Sequence, residues 1–237
     1  MIDWLTTETL SSLPVTLLAY CLALCVYHLS GKSTLANPVL LGMVFVIVYL
    51  WVSNTPYSAY FEGARIIHLL LGTATVALAV PLYMYIEHLK RSMLPILVSV
   101  FSGALAAALT ATVTVALLGG SKLTLLSLVS KSTTTPVAMA ITEQMGGLPA
   151  LTAVAVIITG ILGAIAGLTV LRVVGVTNPR ARGLAMGVAA HGIGTARAFQ
   201  IDPELGAYSG LAMGLSAVFT ALLVPLLWYM LNPLLTG

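Results

Sequence analysis

Long apolar runs separated by short polar interruptions give this chain its character. Six runs, at 13–29, 38–52, 64–86, 93–118, 151–174 and 207–231, approach or exceed the roughly 20 apolar residues that a membrane-crossing helix needs. They predict six transmembrane helices. Two further stretches, 123–147 and 183–206, are apolar at their edges but polar or glycine-rich in the middle. The first carries Lys131-Ser132-Thr133-Thr134-Thr135-Pro136, the second His191-Gly192-Ile193-Gly194-Thr195-Ala196-Arg197.

Charge placement decides how those two stretches run. Asp3 and Glu8 precede the first run and Lys32 follows it. Glu87, His88, Lys90 and Arg91 follow the third, and Arg172, Arg180 and Arg182 follow the fifth. Basic loops stay on the cytoplasmic side, which puts the N-terminus outside. The fourth helix then runs outward and the fifth inward. The stretch 123–147 must therefore enter and leave from the outer face, and 183–206 from the inner face. This predicts two re-entrant, broken-helix hairpins of opposite orientation, an elevator-like secondary-transporter architecture with both termini outside. Taking every run as a span gives about eight crossings instead.

Composition supports an all-α integral membrane protein. Of 237 residues, 59% are hydrophobic and 7% charged, against roughly 25% charged in a soluble domain. The formal charge of +3 comes from residues at run ends rather than from a basic stripe with interleaved aromatics, so nucleic acid is not an expected partner. Cys21 and Cys25 lack further ligand residues around them and read as small apolar residues, not a metal site. The N-terminus has no basic region ahead of the first run, which is expected to be retained. No soluble domain interrupts 1–237; 1–118 reads as a scaffold-rich half and 119–237 as the half bearing a site.

The two interruptions share a chemistry. Thr135 suits an N-cap and Pro136 a first helical residue, so a half-helix is expected from 137 to 145 with its positive dipole end at the break. Lys131 adds charge, and Ser132, Thr133 and Thr134 add donors. In the second break Gly192 and Gly194 allow a sharp turn, Thr195 is placed to cap the next half-helix, and Arg197 offers a bidentate carboxylate contact. His191 can donate to an anion or carry a proton. A ligand with carboxylate or hydroxyl oxygens fits these parts. Lys131 also fits a lysine snorkelling to an interface, and Arg197 a span end partnered by Asp202 and Glu204. Glu143 reads as an interfacial acid. Gly160, Gly163 and Gly167 read as a close-packing face.

At these stretches the sequence resembles the LrgB/CidB family. The motifs are Lys-Ser-Thr-Thr-Thr-Pro-Val-Ala-Met-Ala (131–140), Gly-Gly-Leu-Pro-Ala-Leu-Thr-Ala (146–153), Ala-Ala-His-Gly-Ile-Gly-Thr-Ala-Arg-Ala (189–198) and Gly-Ala-Tyr-Ser-Gly-Leu-Ala-Met (206–213). The family includes YohK-type bacterial inner-membrane proteins and resembles the membrane domain of the plastid glycolate/glycerate translocator. The resemblance implies a carrier of small monocarboxylates such as glycolate, glycerate or pyruvate in the inner membrane. The alternative it implies is an antiholin- or holin-like protein modulating murein hydrolase export with an LrgA/CidA-type partner. The expected partners are thus a small carboxylate anion, membrane lipid, that small membrane protein, and copies of the chain in a homodimer or higher homo-oligomer. No cofactor and no catalytic residue are expected, because no paired intramembrane aspartates, metal motif or nucleophile elbow appears.

Overall fold

The computed structural model describes residues 7–31, 33, 36–77 and 79–235. Asp3 and Lys32, used above to orient the chain, lie outside them. The described residues form eleven helices and no strand: α1 Thr7–Leu29, α2 Pro38–Ser53, α3 Tyr57–Ala77, α4 Ala79–Met84, α5 Ile86–Arg91, α6 Met93–Leu117, α7 Lys122–Leu128, α8 Thr135–Gln144, α9 Pro149–Val173, α10 Pro179–Ile201 and α11 Pro203–Leu235. Four stretches are long and apolar enough to cross a membrane: Ser12–Leu29, Met93–Leu117, Pro149–Val173 and Pro203–Met230. The apolar α2 is shorter, with 16 residues.

The third apolar run differs from its expected single helix over 64–86. It is divided among α3, α4 and α5. Pro81 lacks the N–H that would reach the Ala77 carbonyl, and α3 ends at that residue. Prolines begin helices more often than they break them here. α2 and α10 open on Asn-Pro, and the Asn37 and Asn178 side chains accept from two backbone N–H groups each.

Two compact units divide the chain at Ala79 and Val80. In the first, α1 packs on α2 and α3. The Thr16 and Tyr60 hydroxyls meet at 2.7 Å, and Gly42 lets α2 approach Tyr20 and Ala23.

The second unit holds both hairpins. The first consists of α7, a non-helical turn at 129–134, and α8. At 1.5 Å per residue, α7 covers about 10 Å and α8 about 15 Å, so neither crosses a roughly 30 Å core. A buried hydroxyl network ties the arms together and to α9. Thr152 donates to the Ser127 carbonyl at 2.8 Å and lies 2.9 Å from the Thr142 hydroxyl. Ser130 sits 3.3 Å from both the Ala138 carbonyl and the Thr142 hydroxyl, while its neighbour Ser127 accepts from the Leu148 N–H at 2.9 Å.

The second hairpin is α10 itself. Its helical bonding is interrupted at His191, with φ 39° and ψ −130°. In a straight helix, residues 186 and 194 would stand about 12 Å apart. Instead a β-carbon on Gly194 would lie 3.0 Å from the Met186 carbonyl oxygen. The chain has reversed. Gly183 faces Leu205 and Gly187 faces Met213, so the first arm runs parallel to α11; Thr195 faces Ser209 and Phe199 faces Gly206, so the second arm runs antiparallel.

α9 is the spine on which the hairpins meet. Near its start, Thr152 holds the base of the first hairpin. Toward its end, Gly163 and Gly167 receive Ala190 and Met186 from the first arm of α10. The glycines read above as a packing face are therefore the seat of the second hairpin.

Close approach at Gly187 gives a direct test. A β-carbon there would sit 2.9 Å from both the Ala212 β-carbon and the Met213 nitrogen, whereas at Gly214 nothing lies within 4 Å. Gly187→Ala should destabilise the protein by about 1–3 kcal/mol. Gly214→Ala should be neutral or stabilise by up to about 1 kcal/mol through helix propensity. Thermal unfolding in detergent measures both; equal melting temperatures would contradict the hairpin packing.

Candidate functional site

The turn of the first hairpin carries the cation. Lys131 is half-buried and its Nζ donates to the Ser132 hydroxyl at 3.2 Å. Among the described residues no carboxylate stands within ion-pair distance of it. A lysine at the centre of a bilayer would cost about 2.5–3.5 kcal/mol on membrane-insertion scales, more than one hydroxyl contact returns. Beside it opens a cleft of about 640 Å³. α6 contributes Ser99, Gly103, Ala107 and Thr110 to its wall, the first hairpin Lys131 and Ser132, and α9 Thr159 and Gly163. The first arm of α10 closes the far side with Ala181, Leu184, Ala185, Val188 and Ala189.

The start of α8 differs by one residue from the sequence expectation. Thr134 is the N-cap, and Thr135 and Pro136 are already helical. The Thr134 side chain makes no capping bond, so the first-turn N–H groups are left to other acceptors. Next to it the Thr133 hydroxyl is buried and without a partner among the described residues. Thr133, Thr134, Thr135 and Pro136 do not line the large cleft, although they form the same turn.

The second break departs further. The non-helical residue is His191 alone; Gly192, Gly194 and Thr195 are helical, not part of an open turn. Thr195 does not cap. It is buried within the second arm, its hydroxyl 2.9 Å from that of Ser209. Gly194 packs against the first arm, and Gly192 is exposed. Arg197 lies in the second turn past the reversal, about 9 Å along the helix axis, and donates to the Gln200 side chain at 3.1 Å. It does not line the cleft. Of the two cations in the breaks, Lys131 is therefore at the cleft wall and Arg197 is away from it.

His191 holds the second tip in place. Its Nε2 lies 3.0 Å from the Val156 carbonyl. A carbonyl only accepts, so this nitrogen carries the proton and donates. A β-carbon on Gly160 would come within 2.6 Å of His191 Cε1, so glycine is what allows the ring against α9. The second tip thus bonds α9 at Val156, and the first tip's Lys131 and Ser132 share the cleft wall with Thr159 and Gly163 of the same helix. At the base, Arg180 pairs with Glu204 at 2.7 Å and ties the first arm to the start of α11.

The residues missed by the sequence reading sit on α6. Ser99, Gly103, Ala107 and Thr110 are spaced by three or four, one helix face of small or hydroxyl side chains. That spacing is visible in the sequence but resembles an ordinary packing stripe.

The backbone at His191 yields a prediction that inverts ordinary helix propensity. Positive φ with extended ψ is a region that essentially only glycine occupies freely, and it costs other residues about 1–3 kcal/mol. His191→Gly loses the bond to Val156 but relieves that strain; His191→Ala loses the bond and keeps it. The glycine variant should melt higher than the alanine variant, by about 1 kcal/mol or more. A more stable alanine variant would mean that the chain does not reverse at this residue.

Comparison with known proteins fits this architecture to a family. The LrgB-like family model matches residues 16–230. The protein YwbG of Bacillus subtilis strain 168 is 36% identical over 216 residues, covering 91% of this chain and 96% of that one. A Staphylococcus epidermidis relative named holin-like protein CidB is 33% identical over 87% of this chain and 93% of its own. A Bacillus cereus relative named antiholin-like protein LrgB is 30% identical over 90% and 92%. No solved structure matches. A family match across nearly the whole chain, on an all-helical fold with four membrane-length apolar helices, makes this protein a multi-pass membrane member of the LrgB-like family.

Proposed function

We propose that the chain is a secondary carrier for small monocarboxylates such as glycolate, glycerate or pyruvate. The observation that carries this reading is Lys131, a cation without a carboxylate partner among the described residues, at the edge of a large cleft whose wall the first hairpin tip shares with α9 and the first arm of α10. A carboxylate offsets the cost of that charge, and Ser132 with the uncapped α8 start supplies neutral donors. Hairpins entering from opposite ends suit alternating access. Of the remaining members of the proposed site, Thr133, Thr134, Thr135, Pro136, His191, Gly192, Gly194 and Thr195 shape the two tips, and Arg197 lies beyond the second one.

The relatives' names favour a second reading. Holin-like and antiholin-like proteins point to a regulatory membrane protein acting with a small LrgA/CidA-type partner or in a homo-oligomer. Uptake of labelled glycolate and pyruvate into liposomes containing only this protein separates the two. The carrier reading expects saturable uptake that Lys131→Ala lowers at least tenfold, since removing a buried charged partner costs about 2–5 kcal/mol. Arg197→Ala should retain most uptake, because its guanidinium is engaged with Gln200 outside the cleft. Absent uptake, or uptake indifferent to Lys131, sinks the carrier reading and leaves the regulatory one.

We also propose an orientation in the bacterial inner membrane. Arg91, Arg172, Arg180 and Arg182 lie at the α6 start, the α9 end and the α10 start, which is one end of the second unit. By the positive-inside rule that end is cytoplasmic, and α11 runs outward. A C-terminal reporter should be active outside the cytoplasm; cytoplasmic activity overturns this topology.

A further inference from the structure

We infer that one face of α6 is the wall of a water-filled anion path, with Lys131 and Thr110 as the gate where its two halves meet. The inference deepens the carrier reading and rests on it. Its starting point is a second cleft, of about 240 Å³, lined by Thr110, Thr114 and Leu128 among others. Lys131 and Thr110 line this cleft as well as the large one. They are the residues the two cavities share.

The two cavities lie toward opposite ends of α6. The large one reaches back to Ser99 and to Ala181 at the α10 start. The smaller one reaches forward to Thr114 and to Leu128 at the end of α7. Ser99, Gly103, Ala107, Thr110 and Thr114 follow each other by four, four, three and four residues, which keeps them on one helix face. From Ser99 to Thr114 that face spans about 22 Å of a hydrocarbon core of about 30 Å. The neighbouring face, with Ile96, Val100, Ala104 and Ala108, is buried in the unit, and its continuation at Ala111 and Val115 also borders the smaller cleft.

Lys131 is the one charged side chain on either wall among the described residues. Thr110 returns its own proton to the Ala106 carbonyl at 2.7 Å. The ammonium is therefore the strong donor at the junction, and it selects for anions by charge before any specific contact is made. Small side chains on both sides leave room for a hydrated carboxylate to approach it. On this view Lys131 governs passage as well as binding.

Cysteine labelling tests the path without relying on transport. In a background with the exposed Cys21 and Cys25 replaced by alanine, Ser99→Cys, Thr110→Cys and Thr114→Cys are compared with Val98→Cys, Leu109→Cys and Val113→Cys. The last three mark exposed apolar positions at matching depth. Membrane-impermeant thiosulfonates of either charge are applied to sealed vesicles of known orientation. Ser99→Cys should react from the α6 N-terminal side and Thr114→Cys from the opposite side, each about tenfold faster than its neighbour. At Thr110→Cys the anionic reagent should outpace the cationic one. Lys131→Gln should reduce that ratio about tenfold and Lys131→Glu should invert it. Equal rates at path and control positions, both path cysteines open to the same side only, or a ratio blind to Lys131 would overturn the inference. Charge-dependent labelling without carboxylate uptake would keep the path and remove the substrate; Lys131-dependent uptake with unreactive cysteines would do the reverse.

Discussion

Non-helical backbone cannot face hydrocarbon, and this constraint organises the second unit. Two chain reversals occur beside the middle of α9, where free N–H and C=O groups would each cost several kcal/mol in lipid. Both are pressed against protein. The first rests on a network of buried hydroxyls among Ser127, Ser130, Thr142 and Thr152. The second rests on glycines, with Gly160 accepting the His191 ring and Gly163 accepting Ala190. One side of α9 bonds and another simply makes room. A helix lacking either feature could not seat both hairpins.

The reversals are built for different tasks. The first is six non-helical residues long, exposes a cation to a cleft and leaves a helix start uncapped. The second spends a single residue on the turn and buries it. Its arms are held to α11 by Thr195 with Ser209 and by Arg180 with Glu204. The Arg180 pair is partly exposed, so it fixes position more than it stabilises. The longer turn lines the cleft with Lys131 and Ser132, whereas the single-residue turn lies outside it.

Much of this organisation was legible in the sequence because membrane topology is a strongly constrained problem. Run length marked the long helices, and basic loops required two odd segments to return to their own side. Thr135-Pro136 marked a helix start to within one residue. What the sequence could not give was which residue turns. Glycine is the expected bearer of positive φ, so Gly192 and Gly194 drew attention while His191 carries the strain. Its cause is tertiary: the Val156 carbonyl and the space over Gly160 hold the ring. Arg197 lies farther from the turn than the sequence suggested, because the chain turns at His191 and not at Gly192–Gly194. The α6 wall was missed because small residues at helical spacing signal packing far more often than a path.

The economy of charge in this unit bears on how anions would be handled. A site with two converging cations binds carboxylate tightly and releases it slowly. A carrier must do both, so binding has to be strong enough to desolvate the ligand and weak enough to let it go. One lysine on a flexible stem meets that demand better than a planar guanidinium locked in a bidentate pair, because the ammonium can follow the ligand from one cleft to the other. Lys131 borders both clefts, whereas Arg197 is held by Gln200 away from them. On the carrier reading proposed above, Lys131 is then the charge within reach of the ligand.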